Sequence, residues 1–381
     1  MAWHILASSY FDFDAIERDA DADRAPRHFL RYLSQRLGAP IHQPDPPTDT
    51  SAVSIIDRIA AVLFADPSQW EMARRVRRQL APGDVVYAAG STVGLPLALL
   101  CSVFGPSGVE FAVTVTDVQR PRIKLLGWLL ALLRTRWMVI VPHTEMAETA
   151  SRGFGRFANG IMAINGLTDF DFFRPIAAGG AEADAIEHPG EAARPLIASC
   201  GTEARDYELL ARATSALAVD VDVKVCFASP NLTKKTRFTV PDPMPENMEI
   251  RYFSFAELRA LYRAADVVVV PLLPNRYAAG LTTVFEAVAC ERPVVVARSP
   301  GVVEELIGHD LVEWYAIGDV EGLRAAIERV LADPEGARSK ADEAHEWVRS
   351  RHSASAYFGR IVEAVESAFG GESPDRATVE P

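Results

Sequence analysis

Runs of β-branched and apolar residues recur along the chain, separated by stretches with helical spacing, and this alternation is the signature of parallel sheets with crossover helices. In the first half, the apolar runs Trp3–Ser9, Val85–Ala88, Val109–Thr116, Met138–Val141 and Ile161–Ile164 predict strands. Helices are expected over Pro26–Leu37, over Ser68–Leu80 with Arg74, Arg75, Arg77 and Arg78 on a solvated face, and over Leu95–Phe104 and Ile123–Leu133, the last being the most apolar. The second half repeats the pattern. Strands are expected at Leu196–Cys200, Val223–Ala228, Met248–Tyr252, Ala265–Pro271 and from Val294, with helices at Tyr207–Leu217, Ala256–Ala264, Val320–Ala332, Pro334–Ser350 and Ala354–Phe369. A Gly, Ala and Glu-rich segment, Ile176–Arg194, divides the halves as a linker.

The stretch Asn275–Ala297 concentrates candidate chemistry. It follows a buried strand, and Gly280 precedes a helix opened by Leu281, Thr282 and Thr283. Gly280 is expected to let a ligand approach the backbone. The first amides of a helix lack intrahelical acceptors and lie at its positive end, which suits a phosphate. One turn in, the Glu286 carboxylate could accept hydrogen bonds from vicinal sugar hydroxyls. Polar residues past the carboxyl ends of the first-half strands, Ser9, Ser91 in the Gly90–Gly94 loop, Thr116, Asp117 and Arg120, are the matching candidates there.

A length of 381 residues predicts two domains, and the net charge of −12 argues against general binding to nucleic acid or to an anionic membrane as the main activity, while leaving room for a local basic patch. Cys101, Cys200, Cys226 and Cys290 sit in apolar contexts without metal-ligand spacing, so they read as buried thiols in a reducing cytoplasm. The N-terminal residues lack the pattern of a signal peptide. Ile123–Leu133 is too short to span a bilayer, which takes roughly 20 apolar residues. It is therefore expected to be a buried inter-layer helix, with peripheral membrane contact through residues 120–137 as the alternative, at the inner face of the membrane. The pairs Asp12-Phe13-Asp14 and Asp169-Phe170-Asp171 have D-x-D spacing but read as turns or caps, so no metal site is assigned. A nicotinamide dehydrogenase is disfavoured because no loop supplies G-x-G-x-x-G.

Five motifs in order, Ile164-Asn165-Gly166 with Phe173-Arg174-Pro175, Gly201 with Arg205-Asp206-Tyr207, Ala264-Ala265-Asp266, Gly280 through Ala287, and Arg292-Pro293-Val294-Val295, resemble glycosyltransferase family 4. That resemblance implies a GT-B fold: two facing Rossmann-like α/β domains with parallel sheets and an interdomain cleft. The expected division is 1–175 for the acceptor-side domain, 176–194 for the linker and 195–350 for the nucleotide-sugar domain. Residues 351–370 would form a helix packing back on the first domain, and 371–381 a disordered tail.

The resemblance further implies a metal-independent, retaining hexosyltransferase that uses a UDP- or GDP-sugar, UDP favoured, and no cofactor. Gly201, Arg205 and Gly280, Leu281, Thr282 and Thr283 would hold the diphosphate, Glu286 the ribose, and Tyr252 and Phe253 would frame the base. Arg205, Asp117 and Glu286 are the implied catalytic set, and Ser9, Ser91, Thr116, Asp117 and Arg120 would face the acceptor. The acceptor would be a natural product, a polysaccharide or a lipid-linked glycan. Two positions depart from the family pattern: Ala278 where an acid is usual, and Thr116 where a histidine is usual. They motivate one alternative, a non-catalytic binding partner; a sugar-nucleotide epimerase on the same fold is another. Oligomeric state has no signature in the sequence.

Overall fold

The computed structural model describes residues 2–49, 51–153, 158–176, 194–227, 237–275, 279–306 and 308–370. The bulk of the linker, Ala278 and the tail from 371 lie outside them. The chain divides into two compact units. Unit 1 is Met1–Phe13, His28–Asn165 and Tyr357–Pro381, and unit 2 is Asp14–Arg27 with Gly166–Ala356. The division thus falls at Asn165–Gly166, earlier than residue 175, and an N-terminal segment joins the second unit.

In unit 1 the strands are β1 (Trp3–Leu6), β2 (Ile41–His42), β3 (Val85–Ala88), β4 (Glu110–Thr114), β5 (Arg136–Val141) and β6 (Gly160–Ala163). They form one parallel sheet in the order β2-β1-β3-β4-β5-β6. Helix α1 (Phe13–Asp21) leads out of this unit, and α2 (Phe29–Leu37), α3 (Ile55–Ala61), α4 (Pro67–Arg77), α5 (Ser91–Phe104), α6 (Pro121–Leu132) and α7 (Thr144–Gly153) follow in it. The sequence reading does not anticipate α1, because its Asp- and Ala-rich run buries only Phe13.

Three expectations change here. Helix α5 starts at Ser91 and not at Leu95, so the glycine-bearing segment is the first turn of a helix. Gly94 makes that possible: a Cβ there would lie 2.7 Å from Ala88 Cβ and 2.8 Å from a Val113 methyl, so the helix rests directly on the sheet. Arg74, Arg75 and Arg77 are half-buried and bonded to Asp57, Glu71 and the Phe104 carbonyl, where a solvated face was expected. Finally, α6 is not an inter-layer helix. It buries Ile123, Leu126, Gly127 and Leu130 and exposes Leu125, Trp128 and Leu132, because only one of its faces has a neighbouring layer to cover it.

In unit 2 the strands are β7 (Leu196–Cys200), β8 (Arg205–Asp206), β9 (Asp222–Cys226), β10 (Phe238–Thr239), β11 (Met248–Arg251), β12 (Val267–Val270), β13 (Val294–Ala297) and β14 (Glu313–Tyr315). The main sheet is parallel, ordered β11-β9-β7-β12-β13-β14, and β8 pairs with β10 apart from it. The helices are α8 (Tyr207–Ser215), α9 (Phe255–Ala264), α10 (Leu281–Ala289), α11 (Pro300–Leu306), α12 (Val320–Ala332), α13 (Pro334–His352) and α14 (Ala354–Phe369), of which α14 packs mostly in unit 1, Phe358 lying against Phe29 and Tyr87. The four valines of β12 are fully buried, as a central parallel strand covered on both faces requires. The N-terminal segment is fastened to unit 2 through Asp23, whose carboxylate takes the guanidinium groups of Arg174 at 2.9 Å and Arg259 at 2.8 Å.

Candidate functional site

Strand order locates the site in each unit. In unit 2 the chain winds from β7 outward to β9 and β11, then returns to β12 on the other side of β7. The switch point between β7 and β12 is where an open parallel sheet leaves a crevice at its carboxyl edge. The loop after β7 carries Gly201, and the connection after β12 leads to Gly280 and α10. Gly201, Arg205 and the first residues of α10 therefore come together at this switch point, while Tyr252 and Phe253 follow the edge strand β11.

Arg205 occupies its centre. The residue is 4% exposed, and its backbone is tied to the Arg237 carbonyl at 3.2 Å. Its guanidinium donates to the Cys200 carbonyl at 2.9 Å, the Glu203 carbonyl at 2.7 Å and the Thr283 hydroxyl at 3.1 Å. Among the described residues no carboxylate lies within ion-pair distance of it. A buried charge with only neutral partners is costly, and an incoming anion would offset that cost.

Gly201 is built around this side chain. Its φ of +108° lies in the region that favours glycine, and a Cβ would sit 2.5 Å from an Arg205 guanidinium nitrogen. The buried Tyr207 hydroxyl donates to the Gly201 carbonyl and fixes the loop from beneath. Beside it, the Thr202 hydroxyl is buried with no hydrogen-bond partner among the described residues.

The α10 start differs from expectation in how its residues are used. Gly280 has φ +91°, but a Cβ there would strike a Val270 methyl at 2.7 Å. Packing on β12 and a left-handed backbone therefore both require glycine here. Leu281 is buried, leaving only its amide at the helix end, while the Thr282 side chain is exposed. Thr283 is buried and its hydroxyl is directed at Arg205, so it positions the cation.

Glu286 is half-buried as a residue, yet its carboxyl sits deep. Tyr262, fully buried on α9, donates to its Oε2 at 3.0 Å. Burial pushes this carboxyl up from 4.5 to about 8, with the nearby Cys200 adding to the rise and Tyr262 and Arg205 opposing it. Sequence reasoning misses Tyr262 because a tyrosine on an apolar helix face looks like core. Phe253 is buried and the Arg251 guanidinium covers its ring at 3.6 Å from the centroid, while Tyr252 is exposed.

In unit 1 the switch point lies between β1 and β3. Ser9 follows β1 and Ser91 opens α5 after β3, so both sit there. The Gln69 amide holds the two loops together, donating to the Ser8 carbonyl at 2.9 Å and the Thr92 hydroxyl at 3.1 Å. A hollow of about 420 Å³ adjoins them, lined by Ser9, Tyr10, Asp45, Arg58 and Gln69 among others. Thr116 and Asp117 lie past β4, one strand further along; Thr116 is exposed and Asp117 is ion-paired to Arg120 at 2.6 Å on the surface. Asp117 is thus committed to a surface ion pair with Arg120.

Of the two D-x-D pairs, Asp169 spends its oxygens on the amides of Arg27, Asp171 and Phe172. Among the described residues no group of three or more His, Cys, Asp or Glu side chains could hold a metal ion. All four cysteines are buried.

Residues 195–333 match the family model "Glycosyl transferases group 1". The matched segment runs from β7 to the C-terminus of α12 and contains Gly201, Arg205, Tyr262, Gly280, Thr283 and Glu286. A search of the curated proteins found no match to the chain. Among solved structures, sucrose-phosphate synthase from Thermosynechococcus elongatus superposes with TM-score 0.68 at 15% identity, covering 98% of this chain and 100% of that one. The α,α-trehalose 6-phosphate synthase from Burkholderia multivorans gives 0.66 at 13% identity, covering 97% and 99%. Anabaena HepE in complex with UDP gives 0.62 at 15% identity, covering 96% and 100%. At these identities the likeness establishes the fold, which is GT-B.

Proposed function

We propose that the chain is a retaining glycosyltransferase that moves a hexose from a nucleoside diphosphate sugar, UDP favoured over GDP, to an acceptor hydroxyl. The observation that carries this reading is the buried Arg205 guanidinium, whose partners among the described residues are all neutral oxygens, set beside the positive end of α10. The group 1 match over the same residues supports it, and the UDP and UDP-glucose held by HepE favour the uridine donor.

In this reading the donor diphosphate lies against Arg205 and the amides of Leu281, Thr282 and Thr283, with Gly201 and Thr202 at its edge. Glu286 accepts hydrogen bonds from the ribose hydroxyls, and Phe253 under Arg251 borders the base. As the bond from the anomeric carbon to the phosphate oxygen breaks, negative charge grows on the leaving group, where Arg205 and the helix amides meet it. The acceptor oxygen forms its bond on the face the phosphate leaves, and its proton passes to the departing phosphate oxygen. Neutralisation is assigned to these groups and not to a metal. Ser9, Ser91 and the neighbouring hollow of unit 1 receive the acceptor. Thr116, Asp117 and Arg120 form the outer part of that surface.

A second reading, nucleotide binding without turnover, draws on the exposed Asp117–Arg120 pair, which leaves that loop without a buried base. Release of nucleoside diphosphate from UDP- and GDP-hexoses, measured with and without a mixed acceptor pool, separates the two. Acceptor-stimulated release that Arg205→Ala abolishes supports transfer. Tight nucleotide binding with no release under any condition would favour the binding partner.

A further inference from the structure

Helix α6 presents to solvent an apolar stripe that no described residue covers. Leu125, Trp128 and Leu132 are 54%, 48% and 60% exposed. At 3.6 residues per turn they fall within about 60° of arc on the outer face. The exposed Lys124 lies at one edge of the stripe and the exposed Arg122 at the other, with Arg134 just past the helix. None of these three cations forms an ion pair among the described residues. Helix α5, packed beside α6, ends on the exposed Val103 and Phe104, the latter at 68%.

Charge says what covers this face. From Val118 to His143 the chain contains Arg120, Arg122, Lys124, Arg134 and Arg136 and no Asp or Glu, although the protein carries −12 overall. A second copy docking this face on itself about a two-fold axis would bring like charges together. Helix α3 carries the more exposed apolar residues Ile55, Ile56 and Ile59 at 65–70%, but it is the α6 stripe around which the chain gathers cations without acids. An apolar stripe edged by Lys and Arg matches instead a helix lying flat in the interface of a bilayer, its side chains among the acyl chains and its cations at anionic headgroups.

We infer that α6 docks unit 1 onto anionic lipid surfaces, with Leu125, Trp128 and Leu132 inserting and Arg122, Lys124 and Arg134 contacting headgroups. The helix lies on the surface and does not cross it; no helix of the described residues is long and apolar enough to do so. This inference is independent of the transfer reading, since it uses no residue of the donor site.

The test is vesicle flotation of the full chain with phosphatidylcholine vesicles, with and without phosphatidylglycerol. Wild type is expected to float with the anionic vesicles and much less with the zwitterionic ones. The triple variant Leu125→Ser, Trp128→Ser, Leu132→Ser and the double variant Arg122→Glu, Lys124→Glu should each lower partitioning roughly tenfold or more. Their melting temperatures should stay near wild type, since all five side chains are exposed. Brominated lipid should quench part of the tryptophan fluorescence, and Trp128→Phe should remove that quenching. Failure to float with anionic vesicles, or flotation unchanged in both variants, would overturn the inference. So would self-association in sedimentation velocity that the triple variant abolishes and anionic vesicles do not compete with, since the face would then join copies of the chain.

Discussion

Replacing Arg205 by glutamine separates the charge of this side chain from its polarity. In the free protein the guanidinium bonds to two carbonyls and the Thr283 hydroxyl, at 2.7 to 3.1 Å, with no carboxylate beside it. Glutamine can keep part of that bonding and removes a buried charge that lacks a counter-ion. The unliganded protein should therefore lose no more than about 2 kcal/mol, since relief of desolvation offsets the lost bonds. Binding should suffer more. A unit charge about 4 Å from a phosphate is worth roughly 4 kcal/mol at an effective dielectric constant near 20. Allowing for partial compensation by the α10 amides, about 3 kcal/mol should go, a loss of roughly 150-fold in affinity for UDP. Calorimetric titration of UDP into wild type and variant, with melting temperatures alongside, reads both quantities. A folded variant that binds UDP within threefold of wild type would refute the assignment of Arg205 to the diphosphate.

Four further outcomes follow from named contacts. Glu286 sits at about 8, so at pH 7 it is mostly protonated, and a ligand that needs the carboxylate must first displace a proton. Affinity for UDP should rise about tenfold from pH 7 to pH 9, and Glu286→Gln should flatten the profile; a flat wild-type profile would count against ribose binding there. The Tyr262 hydroxyl holds this value down, so Tyr262→Phe should move the midpoint of the same profile upward, and an unmoved midpoint would dismiss its positioning role. In Gly201→Ala the new Cβ runs into the Arg205 guanidinium from a left-handed backbone, so UDP affinity should fall as in Arg205→Gln, with stability lower by about 2 kcal/mol by denaturant titration. Finally, burial, His4 and Arg75 hold His42 at about 4, against 6.5 when unfolded. The unfolded chain therefore takes up the proton first as pH falls from 6.5 to 4, and stability should drop by up to about 3 kcal/mol over that window. His42→Gln should be measurably less acid-sensitive in urea melts at pH 4.5 and 7.

Much of the architecture is legible where periodicity is strong. Val320–Ala332 and Ala354–Phe369 are helices with the bounds that spacing and flanking residues imply, and the valine runs of β12 and β13 are central strands. What periodicity cannot supply is which layer covers a face. The apolar residues of α6 look like core, yet half of them meet solvent because the sheet lies on one side only. The candidate site in unit 2 is partly legible too. Glycine, arginine, threonine and glutamate at the right separations announce it, but the groups that organise Arg205 are main-chain carbonyls of Cys200 and Glu203, which leave no trace in residue identity. For the same reason the sequence does not show that the Thr283 hydroxyl bonds to Arg205 or that β12 excludes a side chain at Gly280.

The central claim is that the switch point between β7 and β12 holds a nucleoside diphosphate. A crystal structure of the protein grown with UDP tests it most directly. The account predicts the diphosphate against the Arg205 guanidinium and the first α10 amides, with the ribose hydroxyls on Glu286. Well-ordered UDP bound elsewhere, or a site that stays empty at saturating UDP while Arg205 keeps its three neutral partners, would contradict it.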